Sequence, residues 1–200
     1  MSKIKNIKRG KMKNKLYYFL KFIYKNLMKI LFRPTFIGLE NIPKEGPVIF
    51  AGNHRHALDP ILIMMSNKGV VHYLAKKELF KGFHGFLFSK IGIIKVDREK
   101  SNPIAVKEAQ EVLKNGEMIG IFPEGTRNKT KEDLLRFRYG AVTIAKNANV
   151  KIVPFAIRGK YKLFRKGVIL EYGTPIDLQE MEIDDANTYL RNEVLNLYRK

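Results

Sequence analysis

The sequence predicts an α/β fold: a single domain with a largely parallel central sheet covered by helices, preceded by an N-terminal amphipathic basic helix. Short apolar runs recur along the chain, 47–51 and 118–122 among them, and each closes in a polar turn that carries glycine. Helical segments separate these runs, and strands spaced by helices imply parallel strands joined by crossovers. Ahead of the first run, residues 1–33 hold eleven Lys or Arg and no acid, the first acid being Glu40. The chain therefore divides into a basic helix over 1–33 and a main domain over 34–200.

Between 16 and 32, aromatic and aliphatic residues crowd together, while Lys21, Lys25, Lys29 and Arg33 recur every four positions and form one stripe of a helix. The longest apolar run there, 16–20, is five residues, against the roughly 20 that a bilayer crossing needs. A signal peptide is not expected, since its uninterrupted apolar centre and small-residue cleavage site are both missing. This helix reads as lying on a membrane, with a Tyr- and Phe-rich face that favours lipid. A helix packed on its own domain, or a nucleic-acid arm, would share the pattern. The opening up to Lys15 is expected to fray.

Arg33-Pro34 stops the helix. Strands are then expected at 35–39, 48–51, 70–75, 92–96, 118–122, 152–158 and 168–172, with helices near 60–67, 83–90, 103–114 and 139–147. A closing helix over 186–199 follows the acid-rich stretch 180–185, which suits the positive end of a helix dipole.

Two hundred residues, 45% hydrophobic and 11% aromatic, suffice for one domain with a real core. The absence of cysteine rules out a disulfide framework, a thiol nucleophile and a thiolate metal site. A formal charge of +19 points to an anionic partner: nucleic acid, anionic lipid or a phosphorylated substrate.

The candidate chemistry begins at Asn53-His54-Arg55-His56-Ala57-Leu58-Asp59-Pro60, where a strand hands over to a helix. In open α/β sheets, ligands bind in the crevice at the carboxyl ends of the strands. A tight turn would fold the Asp59 carboxylate back onto the His54 imidazole, making a base with an orienting partner. Taken alone, such a pair is more often simply a turn residue and a helix cap, since such pairs are common. A second apolar run ends in Phe122-Pro123-Glu124-Gly125-Thr126-Arg127, which brings backbone N–H groups and a guanidinium suited to phosphate to another strand end.

These two stretches, with Gly92-Ile93-Ile94-Lys95-Val96-Asp97-Arg98 between them and Val153-Pro154-Phe155 after them, resemble the glycerolipid acyltransferases, specifically the bacterial 1-acylglycerol-3-phosphate acyltransferases. The likeness runs from about Phe36 to Gly173. It implies transfer of an acyl chain from a thioester to the free hydroxyl of 1-acylglycerol 3-phosphate, with His54 and Asp59 of the His-x4-Asp motif as general base and orienting carboxylate. It also implies that Glu124, Gly125, Thr126 and Arg127 bind the glycerol-phosphate part of the acceptor. Arg98 is expected as a second phosphate contact and Lys76 as a candidate third.

Only four serines occur, none in a Gly-x-Ser-x-Gly setting, which favours direct attack by the substrate hydroxyl. No cofactor is expected beyond an acyl-CoA or acyl carrier protein thioester as co-substrate, and the motifs do not choose between them. The expected setting is the cytoplasmic face of the cell membrane, peripheral or monotopic, with the lipid acceptor and an anionic bilayer surface as partners. A sister enzyme using another lyso-lipid or glycerol phosphate would carry the same motifs.

The chain departs from the family pattern at His56, where many relatives carry Ser. His56 raises a rival reading, with His54, His56 and Asp59 as metal ligands of a hydrolase, yet further ligands are wanted and only His72 and His84 remain as histidines. No metal site is expected. A basic nucleic-acid-binding protein would explain the charge and the second patch of Lys160, Lys162, Arg165 and Lys166, but no nucleic-acid motif accompanies it and none is expected as a partner.

Overall fold

The computed structural model describes residues 2–97 and 102–200, with side chains described for all of these but 2–14, 83 and 84. Seven strands, β1 (Thr35–Ile37), β2 (Val48–Gly52), β3 (Val71–Lys76), β4 (Ile94–Val96), β5 (Met118–Ile121), β6 (Ile152–Gly159) and β7 (Val168–Tyr172), form one sheet in the order β1-β7-β6-β2-β5-β3-β4. The five strands β6-β2-β5-β3-β4 run parallel. At the other edge, β7 pairs antiparallel to β6, and β1 pairs parallel to β7.

Among the described residues, six α-helices accompany the sheet: α1 (Ser2–Leu31), α2 (Asp59–Ser66), α3 (Gly82–Lys90), α4 (Pro103–Lys114), α5 (Gly140–Ala148) and α6 (Ile183–Tyr198). Side chains of β2 alternate between two cores, as a strand buried on both faces requires. Val48 and Phe50 pack with Leu62 and Ile63 of α2 and Met28 of α1. Ile49 and Ala51 pack with α4, α5 and α6 through Ala109, Ile144 and Leu190.

Several bounds differ from the sequence expectation for identifiable reasons. The first strand stops at Ile37 because Gly38 turns to a left-handed φ of 71°. The fourth strand starts at Ile94, behind the turn made by Gly92 at φ 79°. The closing helix begins at Ile183, so Asp184 and Asp185 lie in its first turn. The first helix spans Ser2–Leu31, and apart from Gly10 its Lys, Arg and Met residues are good helix formers.

The cationic stripe of α1 is divided. Lys21 is buried and Lys25 half-buried, whereas Lys29 and Arg33 are exposed. The Lys21 ammonium donates to the carbonyl oxygens of Asn67, Lys68 and Gly69, just past the end of α2. Burial, with Lys25 adding to it, pushes the Lys21 pKa down to about 8. Tyr17 and Met28 are buried on the same side, and the Tyr17 hydroxyl accepts the Val71 N–H at 3.0 Å. The other side of α1 presents Tyr18, Phe19, Phe22, Ile23 and Ile30 to the exterior, Phe22 at 69% exposure. Among the described residues, no helix is long and apolar enough to cross a membrane.

Candidate active site

The carboxyl ends of the neighbouring parallel strands β2 and β5 face the same way, and their following helices α2 and α5 belong to opposite faces of the sheet. The loops after the two strands therefore part and leave a crevice, the switch point where α/β sheets bind ligands. The loop after β2 carries His54; the loop after β5 carries Glu124 to Arg127.

Local bonds fix the first loop. A Cβ at Gly52 would lie 2.1 Å from the Phe155 carbonyl oxygen, so β2 can end against β6 only as glycine. The next residue, buried Asn53, makes a two-way bond to β6, donating Nδ2 to Ile157 O at 2.8 Å and accepting Ile157 N–H at 2.7 Å. The chain then turns so that the backbone N–H groups of Arg55 and His56 both reach Oδ2 of Asp59 at 2.7 Å. His54 Nδ1 lies 2.9 Å from the same oxygen. Oδ1 of Asp59 accepts the Tyr161 hydroxyl at 2.7 Å.

Four donors thus surround a carboxylate that is 0% exposed, which compensates its burial. A carboxylate only accepts, so Nδ1 of His54 carries the proton and Nε2 presents its lone pair. Nε2 has no hydrogen-bond partner among the described residues, and the His54 side chain keeps 16% exposure. The imidazole stacks on Phe122, with ring centroids 4.2 Å apart. The arrangement is a base held in one tautomer and one orientation beside an open crevice.

The second loop braces the first. The sequence reading groups Glu124 with the acceptor contacts; in the structure it is buried, and its two oxygens accept the backbone N–H groups of His54 at 2.7 Å and Leu135 at 2.9 Å. Burial raises its pKa above the ordinary carboxylate range, against the lowering effect of those two bonds. A second clasp runs from Asn128 N–H to His54 O at 2.6 Å. Gly125 has φ 70°, a left-handed backbone that calls for glycine, and a Cβ there would push on the Arg138 side chain, whose Nε lies 2.8 Å away. Thr126 and Arg127 stand exposed beyond it.

Lys76 ends β3 on the same edge of the sheet, half-buried, 3.7 Å from Glu78. Arg98 lies outside the described residues. His56 turns away from His54: its ring lies against that of Tyr161 at 4.5 Å, and its Nδ1 accepts the Leu58 N–H at 3.3 Å. Among the described residues, no group of three His, Asp or Glu is placed to hold a metal ion.

Beside the loop after β5 lies an apolar cavity of about 250 Å³, lined by Leu74, Val96, Val106, Ile121, Phe122 and Ile144, with Gly125 and Arg138 also on its wall. Phe122 is common to the cavity and to the His54 stack. Tyr161, Asn53 and Asn128 were missed by sequence reasoning. The two asparagines stand directly beside the motifs, whereas Tyr161 has no local signal at all.

Fold and site together define an α/β enzyme class with a His–Asp pair at a strand-end crevice. The chain belongs to the acyltransferase family whose model, Acyltransferase, matches residues 33–158. A relative from Bacillus subtilis named 1-acyl-sn-glycerol-3-phosphate acyltransferase is 38% identical over 143 residues, covering 68% of this chain and 70% of the relative. One of the same name from Borreliella burgdorferi is 29% identical over 172 residues, covering 79% and 68%. The crystal structure of the 1-acyl-sn-glycerophosphate acyltransferase PlsC from Thermotoga maritima superposes with a TM-score of 0.72 at 24% identity, covering 98% of this chain and 81% of that one. The likeness to that structure carries the fold.

Proposed function

We propose that the protein transfers an acyl chain from an acyl thioester to the free hydroxyl of 1-acylglycerol 3-phosphate, giving phosphatidic acid. The observation that carries the reading is the His54 Nδ1 to Asp59 contact at 2.9 Å beside the crevice between β2 and β5. The printed names of the relatives supply the acceptor.

In this reading Nε2 of His54 takes the hydroxyl proton as the acceptor oxygen attacks the thioester carbonyl carbon. The new C–O bond forms and charge gathers on the carbonyl oxygen. Collapse of that tetrahedral species breaks the C–S bond, and the imidazolium returns its proton to the departing thiolate. Asp59 holds the ring and offsets the imidazolium charge while it lasts. Glu124 acts as the brace for His54, and Thr126, Arg127 and the turn at Gly125 hold the acceptor's phosphate, with Lys76 and Arg98 as further contacts. The apolar cavity behind Phe122 suits an acyl chain. The donor is an acyl-CoA or an acyl carrier protein thioester, and no other cofactor takes part.

The enzyme works as a peripheral or monotopic protein on the cytoplasmic face of the membrane, the outer apolar side of α1 toward lipid. What supports this is the row Phe19, Phe22, Ile23 and Ile30, exposed on a helix with basic neighbours. The test is turnover by purified protein on a panel of lyso-lipids and glycerol phosphate, with both thioester donors and with His54→Ala as control. Phosphatidic acid from 1-acylglycerol 3-phosphate is expected to dominate; a stronger product from another acceptor would reassign the substrate.

A further inference from the structure

We propose that the loop joining β6 to β7, residues 160–167, is a second bilayer-contacting element that seats Leu163 and Phe164 at the apolar margin of an anionic membrane. The proposal rests on the reading of the enzyme as a membrane-surface protein and adds a contact that α1 does not provide.

Hairpin tips are ordinarily polar. This one carries Leu163 at 61% exposure and Phe164 at 59%, the latter at φ 58°, where bulky residues are outliers. The strain is held by a bond from the Phe164 N–H to the Leu31 carbonyl oxygen, which fastens the tip to the end of α1 next to exposed Ile30. Ring contact between Phe32 and Tyr161, with centroids 5.5 Å apart, fastens the base of the loop to the same place. The apolar tip is therefore continuous with the end of the outer side of α1.

Charge complements this. Lys160, Lys162, Arg165 and Lys166 flank the tip, all exposed, and none forms an ion pair among the described residues. Cations around an apolar pair match the layering of an anionic bilayer, headgroup outside and hydrocarbon within. A nucleic acid would use the cations and the phenyl ring but has no use for Leu163. The position matters to the chemistry, because Tyr161, two residues before Leu163, is the residue that holds Asp59. A bilayer at the tip brings the surface that carries the acceptor to the mouth of the site.

The chain contains no tryptophan, so Phe164→Trp supplies a single indole reporter. The full-length variant is mixed with vesicles of equimolar phosphatidylcholine and phosphatidylglycerol, some made with brominated chains. Blue-shifted emission and quenching by the bromines are expected. In the wild-type background, Leu163→Ser with Phe164→Ser is expected to weaken vesicle partitioning by about tenfold or more. Turnover of a water-soluble short-chain acceptor is expected to be unchanged in that double variant. An unshifted, unquenched indole on protein that co-sediments with the vesicles would overturn the loop contact while leaving α1 as the anchor. Absence of co-sedimentation by the wild type would bring down the membrane reading and this proposal together. Salt-sensitive binding to homopolymer RNA, lost in the double variant and without vesicle insertion, would replace the bilayer by nucleic acid.

Discussion

Tyr161 donates its hydroxyl to Oδ1 of Asp59 at 2.7 Å, across 102 residues of chain. Burial, reinforced by the Asp59 charge, holds the phenol far above its ordinary pKa, so it remains a donor at any working pH. With Oδ1 occupied, Oδ2 is left to His54 and to the amides of Arg55 and His56. The carboxylate cannot rotate without losing bonds on both sides, and the imidazole it holds is fixed with it.

Tyr161→Phe retains the ring packing on His56 and Phe32 and deletes this one bond. A hydrogen bond to a charged group is worth about 1.5–3 kcal/mol; kcat is expected to fall by roughly tenfold, since part of that is recovered by relaxation. KM for the acceptor should stay within about twofold. A purely structural role would instead lower Tm and leave kcat per folded molecule unchanged.

His54→Ala should cost about 10² to 10⁴ in kcat with the fold intact, and mass spectrometry during turnover should find no acylated side chain. Asp59→Asn tests the orienting role. The amide oxygen can take the place of Oδ2 and keep the amides of Arg55 and His56, while Tyr161 turns to accept from the new NH₂ group. Site shape should survive, with kcat falling far more than acceptor KM rises. A large KM increase at normal kcat would make Asp59 a binding residue.

Most strands were legible because buried parallel strands are short apolar runs with polar stops, as at Val48–Gly52 and Met118–Ile121. The start of α2 was legible from Asp59-Pro60. The antiparallel edge could have been read too, since the loop 160–167 is too short for a crossover. Other features depend on which way a side chain turns. Spacing put Lys21 and Lys29 in one stripe but held no information on which side of α1 meets the domain. Glu124 sits in a motif rich in phosphate-binding residue types, and only the fold turns it inward to the His54 amide. Tyr161 reaches Asp59 through space from a loop whose sequence reads simply as basic.

Glu124→Ala would take the partner from the part-buried N–H groups of His54 and Leu135, at up to about 1–3 kcal/mol each. Urea unfolding should show a loss of that order, and turnover should fall because the His54 loop loses its brace. Glu124→Gln separates charge from bonding. The wild-type carboxyl has a raised folded pKa, so its contribution to stability is full below the unfolded value and is lost as pH rises through the folded one. Comparing wild type with Glu124→Gln from about pH 4 to about pH 7 should therefore show the wild type losing relative stability on going up. A constant difference would mean that the carboxyl is solvated after all.

Lys21 and Lys29 belong to one stripe by sequence and to two functions by structure. The Lys21 ammonium spans the carbonyls of Asn67, Lys68 and Gly69, closing the end of the helix that begins with Asp59. A cation there also meets the negative end of the α2 dipole. Lys21→Met keeps the length of the stem but donates nothing, so carbonyl oxygens at a buried junction lose their partner. A loss of roughly 2 kcal/mol is expected, which in a domain of this size lowers Tm by about 4–8 °C. Vesicle binding per folded molecule should not change, because this cation never reaches the lipid. Lys29→Met should do the reverse: it is exposed, so Tm should hold, while binding to anionic vesicles weakens several-fold at low salt and converges with wild type at high salt. Calorimetry and co-sedimentation on the two variants side by side decide the matter. Equal losses of vesicle binding in both would show that α1 meets the membrane with its cationic stripe and leaves the domain to do so.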